Sequence, residues 1–174
     1  SYQKEHRALT VQQHTLANGF RIVSEHMPGL ESAAVGIWVT AGGRHERLEQ
    51  NGIAHFLEHM AFKGTGKRSQ HQLEVEVENM GALLNAYTSR ETTVYYAKCF
   101  AGDVAPVTDI LSDLLTNPNL ETAAIEAERK VILRELAEVS NMPEEVVMDY
   151  LHGTAFQGTS LGYTILGPEE NICL

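Results

Sequence analysis

Hydrophobic positions alternate with polar ones early in the chain and recur at helical spacing later, and the change falls near residue 51. Within Val11 to Glu25, the turn signal Ala17-Asn18-Gly19 leads into Phe20-Arg21-Ile22-Val23, whose alternation predicts half-buried strands on either side of a tight turn. Ser32 to Thr40 sets Val35, Ile37 and Val39 on one face and Trp38 on the other before Ala41-Gly42-Gly43 ends the run, which predicts a further strand.

From Asn51, read as an N-cap, Ile53, Phe56, Leu57 and Met60 recur at helical spacing until Gly64-Thr65-Gly66, with Phe56, Leu57 and Met60 turned to the core. Ser69 is placed to cap a second helix carrying Leu73, Val77 and Met80, with Gly81 as its stop. Leu83 to Thr88 and Thr93 to Phe100 read as strands joined by Ser89-Arg90-Glu91-Thr92. The last third is helical: Asp103 to Leu115, with Val107, Ile110, Leu111 and Leu114 inward, then Glu121 to Val139, with Ile125, Ile132, Leu133 and Leu136 inward. Pro143 is suited to the first turn of another helix reaching about Ala155. The order predicts an α+β domain, an antiparallel-rich mixed sheet covered by helices, spanning residues 1–174 without a linker or repeat.

The 174 residues suffice for a real core, with about 70% of the unfolded surface leaving water. No apolar run reaches the roughly 20 residues of a bilayer-spanning helix. A net charge of −10 disfavours nucleic acid and favours a cationic substrate. Cys99 and Cys173 lack ligand or disulfide spacing, which fits a reducing compartment, and Cys99 reads as a core residue. Ser1 to Arg7 has no apolar stretch of the signal-peptide kind, and the abrupt start and finish suggest a fragment.

Candidate chemistry lies in His55-Phe56-Leu57-Glu58-His59. At about 100° and 1.5 Å per residue, the two histidines stand roughly 40° apart and one turn removed, so both imidazoles can reach one ion. Zinc accepts two neutral imidazoles and a carboxylate and leaves a fourth position for water. Glu58, near the same face, is placed to take a proton from that water and return it to a leaving amine. This order of residues is the inverted zincin signature.

A third ligand must come from elsewhere, and Glu121, Glu126, Glu128, Glu135 and Glu138 are available on the long acidic helix. Glu128 and Glu135 are seven residues apart, about 700° of helical rotation, and so within roughly 20° of one face. Spacing leaves open which of the two binds, and also allows a solvated acidic face paired with Arg129 and Arg134. Glu145 and Asp149, four apart, suit either a guanidinium partner or a solvated acidic first turn. His6, His14, His26, His45, His71 and His152 lack ligand spacing, and Gly64-Thr65-Gly66-Lys67 lacks the spacing of a phosphate loop.

The stretch from His55 to Thr65 resembles the pitrilysin-type metalloendopeptidases, in particular the β-type chains of the mitochondrial processing-peptidase branch. Asn85-Ala86-Tyr87-Thr88-Ser89-Arg90-Glu91, Val94-Tyr95-Tyr96 and the stretch from Glu128 to Glu135 are similar to the same branch, over nearly the whole chain. The resemblance implies zinc held by His55, His59 and Glu135, with Glu58 as general base and Glu128 as a carboxylate near the metal. It implies that Glu145 and Asp149 receive the arginine before the cleavage site of a mitochondrial presequence, and that Phe62 lines the pocket for the residue after it. An extended substrate would pair with the edge strand at Asn85, Ala86 and Tyr87.

The same likeness implies an α-type partner subunit supplying a glycine-rich loop, and a location in the mitochondrial matrix or on the matrix side of the inner membrane. Family members are more than twice this length, so the domain is expected to be truncated at its C-terminal end and inactive alone. Related β-type chains also serve as core subunits of the ubiquinol–cytochrome c reductase complex, which gives a structural alternative with or without peptidase activity. A general oligopeptidase is a third reading.

Overall fold

The computed structural model describes residues 11–173; the Ser1 to Arg7 stretch, with His6, and Leu174 lie outside them. The chain divides into two compact units, Ser1–Glu31 and Ser32–Leu174. In the first, β1 (Val11–Thr15) pairs antiparallel with β2 (Arg21–Glu25), with Gln13 opposite Val23. The predicted turn forms as read: Asn18 Oδ1 accepts from the Phe20 N–H at 3.0 Å, and Gly19 takes φ +87°. Its strands are not half-buried, since Val11 and Val23 are both exposed. A two-stranded ladder has no second layer of its own on which to bury a face.

The second unit is built on a three-stranded antiparallel sheet in the order β3 (Ser32–Val39), β5 (Thr93–Phe100), β4 (Leu83–Thr88). Central β5 is buried along most of its length, as expected of a strand paired on both sides, while β4 is paired only with β5 among the described residues. Trp38 faces out and Val35 and Ile37 pack on the core, the alternation the sequence predicts. Helix α3 (Val104–Thr116) lies across β3 and β5 and buries Val107, Ile110, Leu111 and Leu114, while Cys99 joins the same core.

Helix α1 (Ile53–Ala61) lies between β4 and α4 (Thr122–Val139). Its start corrects the sequence reading. Asn51 is not the N-cap; Gly52 is, at φ +101°. The buried Asn51 amide donates instead to Glu46 Oε2 at 2.9 Å and to the Thr164 carbonyl at 2.8 Å. Glyine cannot cap with a side chain, and Glu46 does so from outside the helix by accepting from the N–H groups of Gly52 at 2.9 Å and Ala54 at 2.8 Å. Leu57 is exposed, like Ile53, rather than in the core, because the face that turns inward carries His55 and Met60.

Ser69 caps α2 (Gln70–Asn79) in a capping box with Gln72, and Gly81 follows the helix at φ +60°, where the Gly81 and Ala82 N–H groups return to carbonyls of the last turn. Between α1 and α2 the loop is locked from beneath by Asp113, which accepts from Thr65 Oγ1 at 2.6 Å and Arg68 Nη1 at 3.0 Å. Burial works to raise the Asp113 pKa, but the bonds from Thr65, Asn117 and Arg68 hold it below its ordinary value. Pro143 opens α5 (Pro143–Ala155), as its fixed φ favours, and the short α6 (Glu169–Ile172) packs on α4. No helix among the described residues is long and apolar enough to cross a membrane.

Candidate metal centre

Helical spacing brings His55 and His59 to one side of α1, where their rings meet edge-on with centroids 4.6 Å apart. Helix α4 crosses that side and presents Glu135: Oε1 lies 3.6 Å from His55 Nε2 and Oε2 lies 3.5 Å from His59 Nε2. One ligand atom from each of the three residues falls within 4.8 Å of the others, the one such group among the described residues. The two glutamates on that shared face stand at different heights along α4 and meet different atoms of the histidines. Glu128, two turns away, meets the other side of the His59 ring, with Oε2 3.0 Å from Nδ1.

The geometry fits a cation better than it fits a hydrogen-bonded cluster. Separations of 3.5 and 3.6 Å exceed a good N–H···O bond. They approach the ~3.3–3.4 Å that separates two ligands held tetrahedrally at about 2.0–2.1 Å from one zinc ion. Buried His55 Nδ1 has no hydrogen-bond partner among the described residues, so neither ring nitrogen of His55 is well satisfied by them. Burial first, and then the neighbouring His59, lower the His55 pKa to about 4, which keeps the ring neutral and able to ligate at physiological pH. The donor set of two imidazoles and a carboxylate matches a catalytic zinc site with one open position.

His59 is fixed by a chain of contacts behind it. Glu128 accepts from the His59 Nδ1–H, which directs the Nε2 lone pair toward Glu135, and Lys63 Nζ holds the other Glu128 oxygen at 2.5 Å. Burial would raise the Glu128 pKa, but Lys63 and His59 outweigh it and hold the carboxyl below its usual range.

Glu58 points to the end of the edge strand, where Thr88 Oγ1 donates to Glu58 Oε2 at 2.5 Å. Burial pushes Glu58 above the usual carboxylate range and the Glu135 charge adds to this, against the opposing effects of Thr88 and His59. A carboxylate raised in this way is a better proton acceptor near neutral pH.

The remaining candidates lie on the end of α1, on β4 and on α5. Half-buried Phe62 ends α1 with its ring centroid 6.4 Å from that of Tyr95. Asn85 and Tyr87 are exposed on edge strand β4, and Asn85 Oδ1 accepts from the Ala86 N–H at 2.8 Å. Glu145 is exposed on α5, whereas Asp149 is already engaged by Arg90 Nη2 at 2.8 Å. The alternative of an acidic α4 face paired with Arg129 and Arg134 is met only in part: Arg129 reaches Glu126 at 3.4 Å and the Ile172 carbonyl, while Arg134 is exposed and takes part in no ion pair among the described residues.

Glu46, Lys63, Thr88 and Arg90 escaped the sequence reading. Two of them carried a usable signal. Lys63 lies four residues after His59, and Thr88 shares the inward parity of Leu84 and Ala86 on β4. Glu46 sits in a loop with no periodicity to betray it.

Residues 21–169 match the family model described as Insulinase (Peptidase family M16). The chain is similar to the protein named mitochondrial-processing peptidase subunit beta from Lentinula edodes, 62% identical over 91% of this chain and 34% of that protein. The subunits of the same name from Mus musculus and Neurospora crassa are 60% and 58% identical, over 90% and 94% of this chain and 32% and 34% of theirs. The chain thus spans about a third of the length of the curated relatives it matches. A crystal structure of a protease from Helicobacter pylori superposes with a TM-score of 0.87 at 25% identity, covering 95% of this chain and 40% of that one. By the match over most of its length, the chain belongs to the insulinase family of peptidases, M16.

Proposed function

We propose that the chain is the metal-bearing portion of a zinc metalloendopeptidase subunit that removes N-terminal presequences from proteins imported into mitochondria. The reading rests on one observation, the convergence of two imidazole Nε2 atoms and the Glu135 carboxylate beside a second, hydrogen-bonded carboxylate, Glu58. It draws on the names of the relatives for the substrate class, the mitochondrial location and the α-type partner.

Zinc would be held by His55, His59 and Glu135, where it would polarise the scissile carbonyl and acidify water. Glu58 takes a proton from the attacking water and delivers it to the departing amine; its raised pKa suits both transfers. Thr88 keeps one Glu58 oxygen occupied and so aims the other. Glu128 with Lys63 fixes the tautomer of His59. An extended peptide adds to β4 at Asn85, Ala86 and Tyr87, with the residue after the cut against Phe62 and the arginine before it at Glu145 and Asp149. The net charge of −10 favours encounter with Arg-rich, acid-poor presequences.

The test is cleavage of a presequence peptide by the full-length chain with and without an α-type partner, before and after chelation. Cleavage that needs both the metal and the partner is the expected result. A full-length chain that copurifies with cytochromes and leaves the peptide intact would instead make it a core subunit of the ubiquinol–cytochrome c reductase complex.

A further inference from the structure

We propose that Arg90 is a positioning residue that makes the Glu145–Asp149 pair selective for a guanidinium over an ammonium group. The inference rests on the reading of that pair as the acceptor of the substrate arginine.

Arg90 stands in the turn between β4 and β5, three residues beyond Tyr87 on the edge strand. Its backbone is clamped on two sides. The Arg90 carbonyl accepts from the Arg44 N–H at 2.8 Å and the Ser89 carbonyl accepts from the Gly43 N–H at 3.3 Å, while Ser89 N–H closes the turn onto the Thr92 carbonyl at 2.8 Å. Gly42 packs so tightly here that a Cβ on it would lie 2.9 Å from the Thr92 nitrogen. A long side chain leaving so rigid a turn reaches its target with little freedom left to lose.

That target is Asp149 Oδ1, 2.8 Å from Nη2, and Arg90 makes no other ion pair among the described residues. The Arg90 side chain is 16% exposed and the Asp149 side chain 34%, so the guanidinium lies beneath the carboxylate rather than above it. Arg90 Nε is buried without a hydrogen-bond partner among the described residues. Releasing Asp149 would strand a largely buried cation whose hydrogen bonding is already incomplete, so an incoming arginine does not displace Arg90.

Two consequences follow for the pair of carboxylates. Asp149 is held in one orientation with Oδ1 committed, and Oδ2 has no hydrogen-bond partner among the described residues. The formal charge of Glu145, Asp149 and Arg90 together is −1, not the −2 of a bare pair one helical turn apart. A ligand must therefore be recognised by geometry, bridging one fixed Asp149 oxygen and the Glu145 carboxylate. The planar fork of arginine can do this with separate N–H groups, whereas a lysine ammonium gains only a point-charge attraction that Arg90 has halved.

The full-length chain with its α-type partner is given an equimolar mixture of three presequence peptides that differ only in arginine, lysine or citrulline before the cut. Ratios of kcat/KM taken in one mixture are independent of the fraction of folded enzyme. Arg90→Gln is expected to lower the arginine-to-lysine ratio of kcat/KM about five- to tenfold, while a preference for arginine over citrulline persists. Arg90→Lys, which keeps the charge without the fork, should fall between. An unchanged arginine-to-lysine ratio in Arg90→Gln, or equal losses on all three peptides, overturns the inference. The double variant Glu145→Gln, Asp149→Asn separates this from the reading beneath it: it is expected to abolish the preference for arginine over citrulline. If that preference survives, the carboxylates do not receive the arginine and both ideas fall; if it disappears while Arg90→Gln keeps the wild-type ratio, only the role of Arg90 falls.

Discussion

Glu128 Oε2 lies 3.0 Å from His59 Nδ1 while Glu135 Oε2 lies 3.5 Å from Nε2 of the same ring, so one helix supplies a carboxylate to each edge of a single imidazole. The shorter contact is a hydrogen bond, and the longer is a separation that a shared ion would fill. Removing Glu128 should therefore weaken metal binding without removing a ligand. Glu128→Gln is expected to lower zinc affinity roughly 10- to 100-fold in a chelator competition, against near-complete loss for Glu135→Gln. Equal affinities for wild type and Glu128→Gln would show that the His59 ring needs no such support.

Glu58 has no place in the ligand set, so Glu58→Gln should keep stoichiometric zinc and lose about 10²–10⁴ in kcat. Zinc content by atomic absorption beside peptide turnover separates the two effects. A variant that keeps most of its activity removes Glu58 from the role of base.

Thr88 stabilises the charged form of Glu58 by donating a hydrogen bond to it, so the loss of that bond raises the Glu58 pKa. The base must be deprotonated to act, and a raised pKa moves the acidic limb of the kcat/KM profile to higher pH. Thr88→Val should show this shift and Thr88→Ser should restore the wild-type limb. A profile in Thr88→Val that only scales down at every pH would mean that Thr88 merely packs.

His55 titrates near 4 in the folded, metal-free chain because burial and His59 oppose its charge, against an ordinary value of 6.5. Between these values the unfolded state binds the extra proton, so stability falls as pH drops from about 6.5 toward 4, by at most ~2–4 kcal/mol. Urea unfolding of the full chain after chelation should follow that slope, and a His55→Asn variant should flatten it. An equal slope in both proteins would assign the pH dependence to other groups.

Gly52 and Gly167 meet backbone to backbone at the entry of α1, at φ +101° and +79°. A Cβ on Gly167 would lie 2.8 Å from the Gly52 Cα and would also strike the Asn51 carbonyl. Gly167→Ala combines left-handed strain of about 1–2 kcal/mol with that collision and is expected to cost at least ~2 kcal/mol of stability. Differential scanning calorimetry of the full chain would detect it, and an unchanged midpoint would show that this crossing is free to open.

Much of this protein was legible before any coordinates. The strands read on either side of the polar turn Ser89-Arg90-Glu91-Thr92, Leu83 to Thr88 and Thr93 to Phe100, are β4 and β5 to the residue. The period of α3 located the four core residues Val107, Ile110, Leu111 and Leu114. The spacing of His55 and His59 placed both rings on one side of a helix.

Sequence by itself thus determined which residues share a face, since that follows from the rise and rotation of one element. It could not determine what lies opposite that face or at what height. Glu128 and Glu135 are equivalent in azimuth, and only the crossing of α4 over α1 buries one behind His59 and brings the other between the two imidazoles. Asn51 had the chemistry of a cap but was drawn off by Glu46 and the Thr164 carbonyl, 113 residues along the chain in the latter case. Contacts between distant segments are set by packing in three dimensions, where loop residues such as Glu46 and Arg90 acquire partners that no local period encodes.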